Sequence, residues 1–266
     1  VYSPGLIAFG MTGVILTGGI DLSVGSVLAL TSVFCASMIH SGVTPLLAMI
    51  GALVMGMVFG LISGLLVAKG RLQPFIATLI TMTVYRGLTM IFSNGKPISQ
   101  LGNDAFLNGI GKGSFLNIPV PVWILAIMFL LFYFVLNKTV FGRKVYAVGS
   151  NEKAAKLAGI NISLTKIWVY VVSGFTAAFA GLILLSRLGS AQPTIGVGYE
   201  LDAIAAVALG GTSMNGGRGK IYGTLIGVLI IAVLNNGLNI LNVSSYYQDV
   251  VKGLVILLAV LSDRKR

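Results

Sequence analysis

Polar side chains that could do chemistry are few in this chain, and most of them stand among apolar residues. Asp21 and Ser23 lie in TGGIDLSVGS, and Asn235, Asn236 and Asn239 lie in VLNNGLNIL. Glu200 and Asp202 follow the turn-rich segment GSAQPTIGVGYE, and Arg187 precedes it. An ionisable group within an apolar run is costly and therefore a functional candidate; Asp21 and Ser23 suit equally well the capping of a helix that begins near Leu22. An amide offers both donors and an acceptor. The three asparagines therefore either bond between helices or line a wet path for a hydroxyl-rich cargo such as a sugar. Asn235 and Asn239 share a helix face, with Asn236 offset by about 100°. Asp21, Ser23, Asn235, Asn236 and Asn239 are the substrate-path candidates. Glu200, Asp202 and Arg187 are candidates for meeting a partner.

No catalytic constellation accompanies these residues. Gly95-Lys96, Gly111-Lys112 and Gly219-Lys220 are each followed by a residue other than Ser or Thr, so the sequence has no phosphate loop of the Gly-x4-Gly-Lys-Ser/Thr kind. One cysteine, Cys35, and one histidine, His40, allow neither a disulfide framework nor the usual multi-ligand metal site. The chain is expected to be no enzyme and to hold no cofactor or metal.

The elements that position these residues are membrane helices. The 266 residues are 56% hydrophobic and only 9% charged, whereas soluble domains carry about 25% charged residues. That little charge could not cover a surface in water. The expected fold is all-α, a polytopic helical membrane protein of about 8–10 transmembrane helices, some short or broken, at ~20 residues per crossing. Residues 1–266 are read as a single transmembrane domain. Gly5–Ile39 would measure ~52 Å as one helix, too long for a hydrocarbon core of ~30 Å. It is either two short spans or one element broken at Gly18-Gly19-Ile20-Asp21. A second Gly-rich break, Gly210-Gly211 to Gly216-Gly217, suggests a weak internal repeat, and such interruptions point to a transport path.

The net charge of +11 reflects basic loops rather than a nucleic-acid surface, because cytoplasmic loops of membrane proteins accumulate Lys and Arg. Lys138–Lys166 (KTVFGRKVYAVGSNEKAAKLAGINISLTK) holds six cations and the single acid Glu152. Placing it in the cytoplasm puts Lys69, Arg71, Arg218, Lys220 and Arg264–Arg266 there too, and leaves Arg86, Lys96, Lys112, Arg187 and Lys252 elsewhere. Within it a short helix is expected over Asn151–Gly159, capped by Ser150 or Asn151 and ended by Gly159. Ala154, Leu157 and Ala158 share one face, and Glu152 and Lys156 form an i,i+4 pair on the other. Its full set is Asn151, Glu152, Lys153, Ala154, Ala155, Lys156, Leu157, Ala158 and Gly159. From pattern alone it either docks a partner or lies against lipid headgroups. Ala52, Gly56, Gly60 and Gly64, four apart, form a face for close helix packing, as small residues do in lipid.

Five extended stretches then carry a family resemblance: GMTGVILTGGIDLSVGSVLALTS, GRLQPFIATLITMTVYRGLT, FGRKVYAVGSNEKAAKLAGI, SAQPTIGVGYELDAIAAVALGGTSMNGGRGKIYGTLIG and LNNGLNILNVSSYYQDVVKGLVILLAVL. In this order they resemble the ribose permeases, and more broadly the monosaccharide permeases, of bacterial ABC importers. The resemblance implies a multi-pass subunit of the bacterial inner membrane with a cytoplasmic C-terminus, translocating ribose or a related monosaccharide. It implies a second permease subunit in a dimer, a cytoplasmic ATPase that uses ATP and Mg, and an extracytoplasmic sugar-binding protein that Glu200, Asp202 and Arg187 could contact. It also makes Asn151–Gly159 the ATPase-coupling segment, within a cytoplasmic coupling loop at residues 138–166. Family members begin with a cytoplasmic N-terminus and a first helix that this chain is expected to lack. The rival reading is an ion-coupled secondary sugar transporter. It needs an intramembrane chain of acids or histidines, for which Asp21 is a poor candidate.

Overall fold

The structure, a computed structural model, describes residues 2–99, 101, 102 and 104–263. Its helices are α1 (Tyr2–Leu16), α2 (Val24–His40), α3 (Pro45–Ala68), α4 (Pro74–Ser93), α5 (Ala105–Lys112), α6 (Val120–Lys138), α7 (Val140–Ser150), α8 (Glu152–Leu157), α9 (Ile162–Leu188), α10 (Tyr199–Leu209), α11 (Ile221–Ile240) and α12 (Ser245–Asp263). Among the described residues, α3, α4, α6, α9 and α11 are long and apolar enough to cross a bilayer. The chain is a polytopic helical membrane protein. The basic Arg264–Arg266 lies outside the described residues. The all-α expectation misses one hairpin, β1 (Ser114–Phe115) paired antiparallel with β2 (Ile118–Pro119). Leu116 and Asn117 join its strands at positive φ, 53° and 61°, as the tightest hairpin turns require of both central residues.

Sequence chemistry sets many of the helix ends. α3, α4 and α6 carry proline in the first turn, where a missing N–H costs nothing. α9 starts on Asn161, whose side chain accepts from Leu164 N, and stops at Gly189 in the left-handed region.

α9 is the central post. Its 27 residues span ~40 Å at 1.5 Å each, and α1, α2 and α3 all pack on it. The α3 contact uses the four-residue stripe. A Cβ added at Gly56 would stand 2.4 Å from the Ala178 Cβ, and one at Gly60 2.2 Å from the Tyr170 carbonyl oxygen. Ala52 is fully buried. Hydrocarbon supplies no hydrophobic drive between helices, so backbone approach through small residues provides the dispersion contact that joins them.

The two ambiguous first runs are separate short helices, α1 and α2, of 15 and 17 residues. The chain between them, Thr17–Ser23, turns with Gly18 exposed and then buries Asp21 and Ser23, each 1% exposed. A second break lies between α9 and α10, where Gly189–Gly198 runs back from the end of α9 into the bundle. There Gly196 meets the start of α2: a Cβ added at Gly25 would come to 2.2 Å from the Gly196 carbonyl oxygen. The starts of two short helices, α2 and α10, thus abut beside the middle of α9. The Gly-rich break at Gly210–Gly217 also contacts the first one directly, with Gly217 N donating to Leu16 O at 2.9 Å.

Candidate functional site

α8 is built almost entirely by local rules. Asn151 caps it, its Oδ1 accepting from Ala154 N at 3.0 Å. At the other end Gly159 sits at φ 77°, Gly159 N donates to Lys156 O and Ile160 N donates to Ala155 O, the paired pattern of a Schellman stop. Only Ala155 turns inward, at 4% exposure, while Leu157 is 90% exposed. The face Ala154, Leu157 and Ala158 is therefore exposed. Glu152 pairs with Lys166 of α9 rather than with Lys156 as the i,i+4 spacing suggested. The tertiary fold brings the start of α9 under α8, and a partner on a fixed neighbouring helix wins over one on the same short turn.

Behind α8, α7 is fastened to the end of α1 and to the loop that joins α10 to α11. A Cβ at Gly149 would lie 1.7 Å from Leu16 O, and one at Gly217 would lie 2.6 Å from the Ser150 Cα. Tyr146 donates its hydroxyl to Gly219 O at 2.9 Å; burial pushes its phenol pKa up, so the group remains a donor at neutral pH. Arg71, Lys156 and Lys166 line one open cavity of about 740 Å3 with Glu152. Arg218 and Lys220 flank the Gly219 contact. The cations of these three connections thus lie on one face of the molecule.

The substrate-path candidates divide into two places. Asp21 accepts from Ser23 N at 3.0 Å and Ser23 Oγ at 2.6 Å through Oδ1, and from Ser173 Oγ at 2.7 Å through Oδ2. Nearby, Tyr170 donates to Ile20 O. Asp21 thus ties the first break to α9 while Ser23 holds Asp21, and no side-chain cap bond comes from Ser23.

The asparagines lie elsewhere. Asn235, Asn236 and Asn239 line a cavity of about 370 Å3 together with Asp202, Pro4 and apolar side chains of α10 and α11. Asn235 Oδ1 is buried without a hydrogen-bond partner among the described residues, and Asn239 Oδ1 accepts from Gln248 at 2.9 Å. Asp202 is buried and pairs with Lys252 of α12 at 3.3 Å. Its expected grouping with Glu200 and Arg187 as a contact for an outside protein gives way to a place on the cavity wall. Glu200 is half-buried and accepts from Gly198 N at 3.2 Å; Arg187 is exposed.

Two residues matter more than sequence reasoning allowed. Arg86 of α4 donates to Pro193 O at 2.8 Å and Ile195 O at 3.0 Å, pinning the returning loop. Lys252 supplies the counter-charge for Asp202. Each is a lone cation inside an apolar run. That signal was present, and only the three-dimensional fold says what it meets.

The comparisons with known proteins agree with this architecture. A family described as "Branched-chain amino acid transport system / permease component" matches residues 2–260. The chain belongs to this permease family. It is 60% identical over 262 residues to the ribose import permease protein of Bacillus subtilis, covering 98% of this chain and 81% of the relative. It is 54% identical over 263 residues to the ribose import permease protein of Escherichia coli K12, covering 98% and 82%. It is 43% identical over 260 residues to the D-allose transport system permease protein of the same strain, covering 97% and 79%. No solved structure matches. The ion-coupled alternative is not favoured beside these relatives.

Proposed function

We propose that the chain is the transmembrane permease subunit of an ATP-binding cassette importer that carries ribose into the bacterial cytoplasm. The identity to ribose import permeases supports the sugar, exceeding the 43% identity to a D-allose permease. The observation that carries the mechanism is the projecting face of α8. A leucine left 90% exposed on a helix capped at both ends is a preformed contact for another protein, because a short helix is marginal in water unless held. The partner is a cytoplasmic ATPase that binds ATP and Mg and supplies the energy; this chain supplies the path.

In this reading residues 138–166 form the cytoplasmic coupling loop of a single permease domain in the inner membrane, and the C-terminus is cytoplasmic. A second copy of the chain completes the path. A sugar-binding protein delivers ribose on the opposite side, where Arg187 offers an exposed cation. ATP binding displaces α8. The tight α7 contacts, Gly149 on Leu16 and Tyr146 on Gly219, pass that displacement to α1 and to the loop that joins α10 to α11. A packed joint moves as a unit because its atoms leave no room for independent adjustment.

The test is Leu157→Asp in the importer reconstituted with its ATPase and binding protein. The protein inserts normally, ribose uptake falls, and ATP hydrolysis no longer responds to sugar-loaded binding protein. Uptake at the unaltered rate would remove α8 from the energy path.

A further inference from the structure

We infer that the cavity between α1, α10 and α11 is a resting site for one uncharged monosaccharide on its way through the permease, with Asn235 as its main hydrogen-bonding group. The inference rests on the transport reading above and adds a location and a binding chemistry to it.

Three observations carry it. The first is Asn235, which lines the cavity and whose Oδ1 is buried with no hydrogen-bond partner among the described residues. Buried polar atoms are nearly always satisfied, and one that is not asks for a donor that arrives from outside. A sugar hydroxyl is such a donor, and an amide can return the bond through its N–H groups. The second is size and lining. About 370 Å3 lies at the small end of the ~300–1,000 Å3 range of small-molecule sites. Ala206 and Pro4 give the cavity an apolar wall for the C–H face of a ring, while Asn235, Asn236 and Asn239 give it amides. The third is charge. Asp202 reaches the cavity already paired with Lys252 at 3.3 Å, so the wall carries a carboxylate that can accept from hydroxyls and no net charge that would favour an ion. A free amino acid or a metal ion would find no uncompensated counter-charge there.

The location supplies a means of release. The cavity walls belong to α1, α10 and α11; α1 ends at the joint with α7, and the loop that joins α10 to α11 meets α7 there.

Two measurements test it in liposomes that contain the permease, its ATPase and its binding protein. Asn235→Leu is expected to raise the KM for ribose about 10-fold, the effect of losing one buried hydrogen bond. Asn236→Cys is also introduced into the native background, whose one cysteine, Cys35, is buried. Reaction of the new thiol with a maleimide is expected to slow severalfold when ribose-loaded binding protein is added, and not when the unloaded protein is added. The labelling measurement stands even where Asn235→Leu fails to insert. An unchanged KM in an inserted Asn235→Leu protein, or equal labelling with loaded and unloaded binding protein, overturns the site. Failure of the reading beneath it looks different: the unaltered protein then imports no ribose at all. If it imports another monosaccharide, protection of the thiol by that sugar supports the cavity while ribose is rejected.

Discussion

The helix α8 and the cavity beside α11 are both polar places in an apolar chain, and they are held in opposite ways. α8 depends on neighbours in sequence: an Asn cap, a Gly stop and a single buried alanine. The cavity depends on residues distant in sequence, with Pro4 from α1, Asp202 from α10 and the asparagines from α11. A local motif can project into water because its own backbone bonds are satisfied. The cavity is half-open, with Asn236 and Asn239 exposed, and its shape depends on how three helices pack. The difference teaches where each is vulnerable. α8 should tolerate replacement without loss of folding and fail only in coupling, whereas the cavity stands or falls with helix packing.

The largest effect is expected at the joint between the two regions. Gly149→Val places a side chain where even a Cβ would lie 1.7 Å from Leu16 O, a clash costing about 3 kcal/mol or more. Little assembled protein should reach the membrane, measured by immunodetection of inserted permease, and uptake should vanish. Normal insertion would show that α7 can detach from α1, and would undo the proposed transmission.

Leu157→Asp comes next. The side chain is exposed, so insertion and thermal stability should be unaltered. Losing a leucine contact of about 1.5–3 kcal/mol with the ATPase should lower uptake ~10–100-fold. Ala154→Arg on the same face should act in the same direction. A variant that lost stability instead would mean α8 is a packing element after all.

Asn235→Leu combined with Asn239→Leu should lower uptake ~10-fold through weaker sugar contact, with assembly intact. Wild-type uptake would assign these amides to helix packing. Asn151→Ala removes the cap of α8 at a cost of about 1 kcal/mol, and should weaken coupling ~5-fold. Glu152→Gln should change uptake less than ~2-fold. Its pair with Lys166 is half-exposed on the Glu152 side, and exposed pairs contribute about 0–1 kcal/mol. A larger loss from Glu152→Gln than from Asn151→Ala would reverse the view that backbone capping, rather than charge pairing, holds α8.

Much of the architecture was legible because membrane helices announce themselves by length and by missing charge. The runs around α3, α4, α6, α9 and α11 were readable for that reason, and so was the four-residue stripe Ala52/Gly56/Gly60/Gly64. The span of α8 was readable because Asn at a helix start and Gly at its end are local chemistry. The hairpin at Ser114–Pro119 was not anticipated, since two residues per strand leave no periodicity to see. The pairing of Glu152 was misjudged for a related reason: the sequence shows the i,i+4 neighbour Lys156 and hides Lys166, which the fold brings closer.

By itself, then, the sequence determined that the chain is a polytopic helical protein, where the basic loop and its capped helix lie, and which asparagines and acids interrupt apolar helices. These follow from composition, spacing and capping, which act over a few residues. The tertiary structure alone decided which of those residues meet. It set Asp21 against Ser173, gave Asp202 to Lys252 and the asparagine cavity, and fastened Arg86 to the returning loop. A buried polar group takes the partner that the fold delivers, and which one that is depends on how α1, α9, α10 and α11 pack, at sequence separations that no local pattern records.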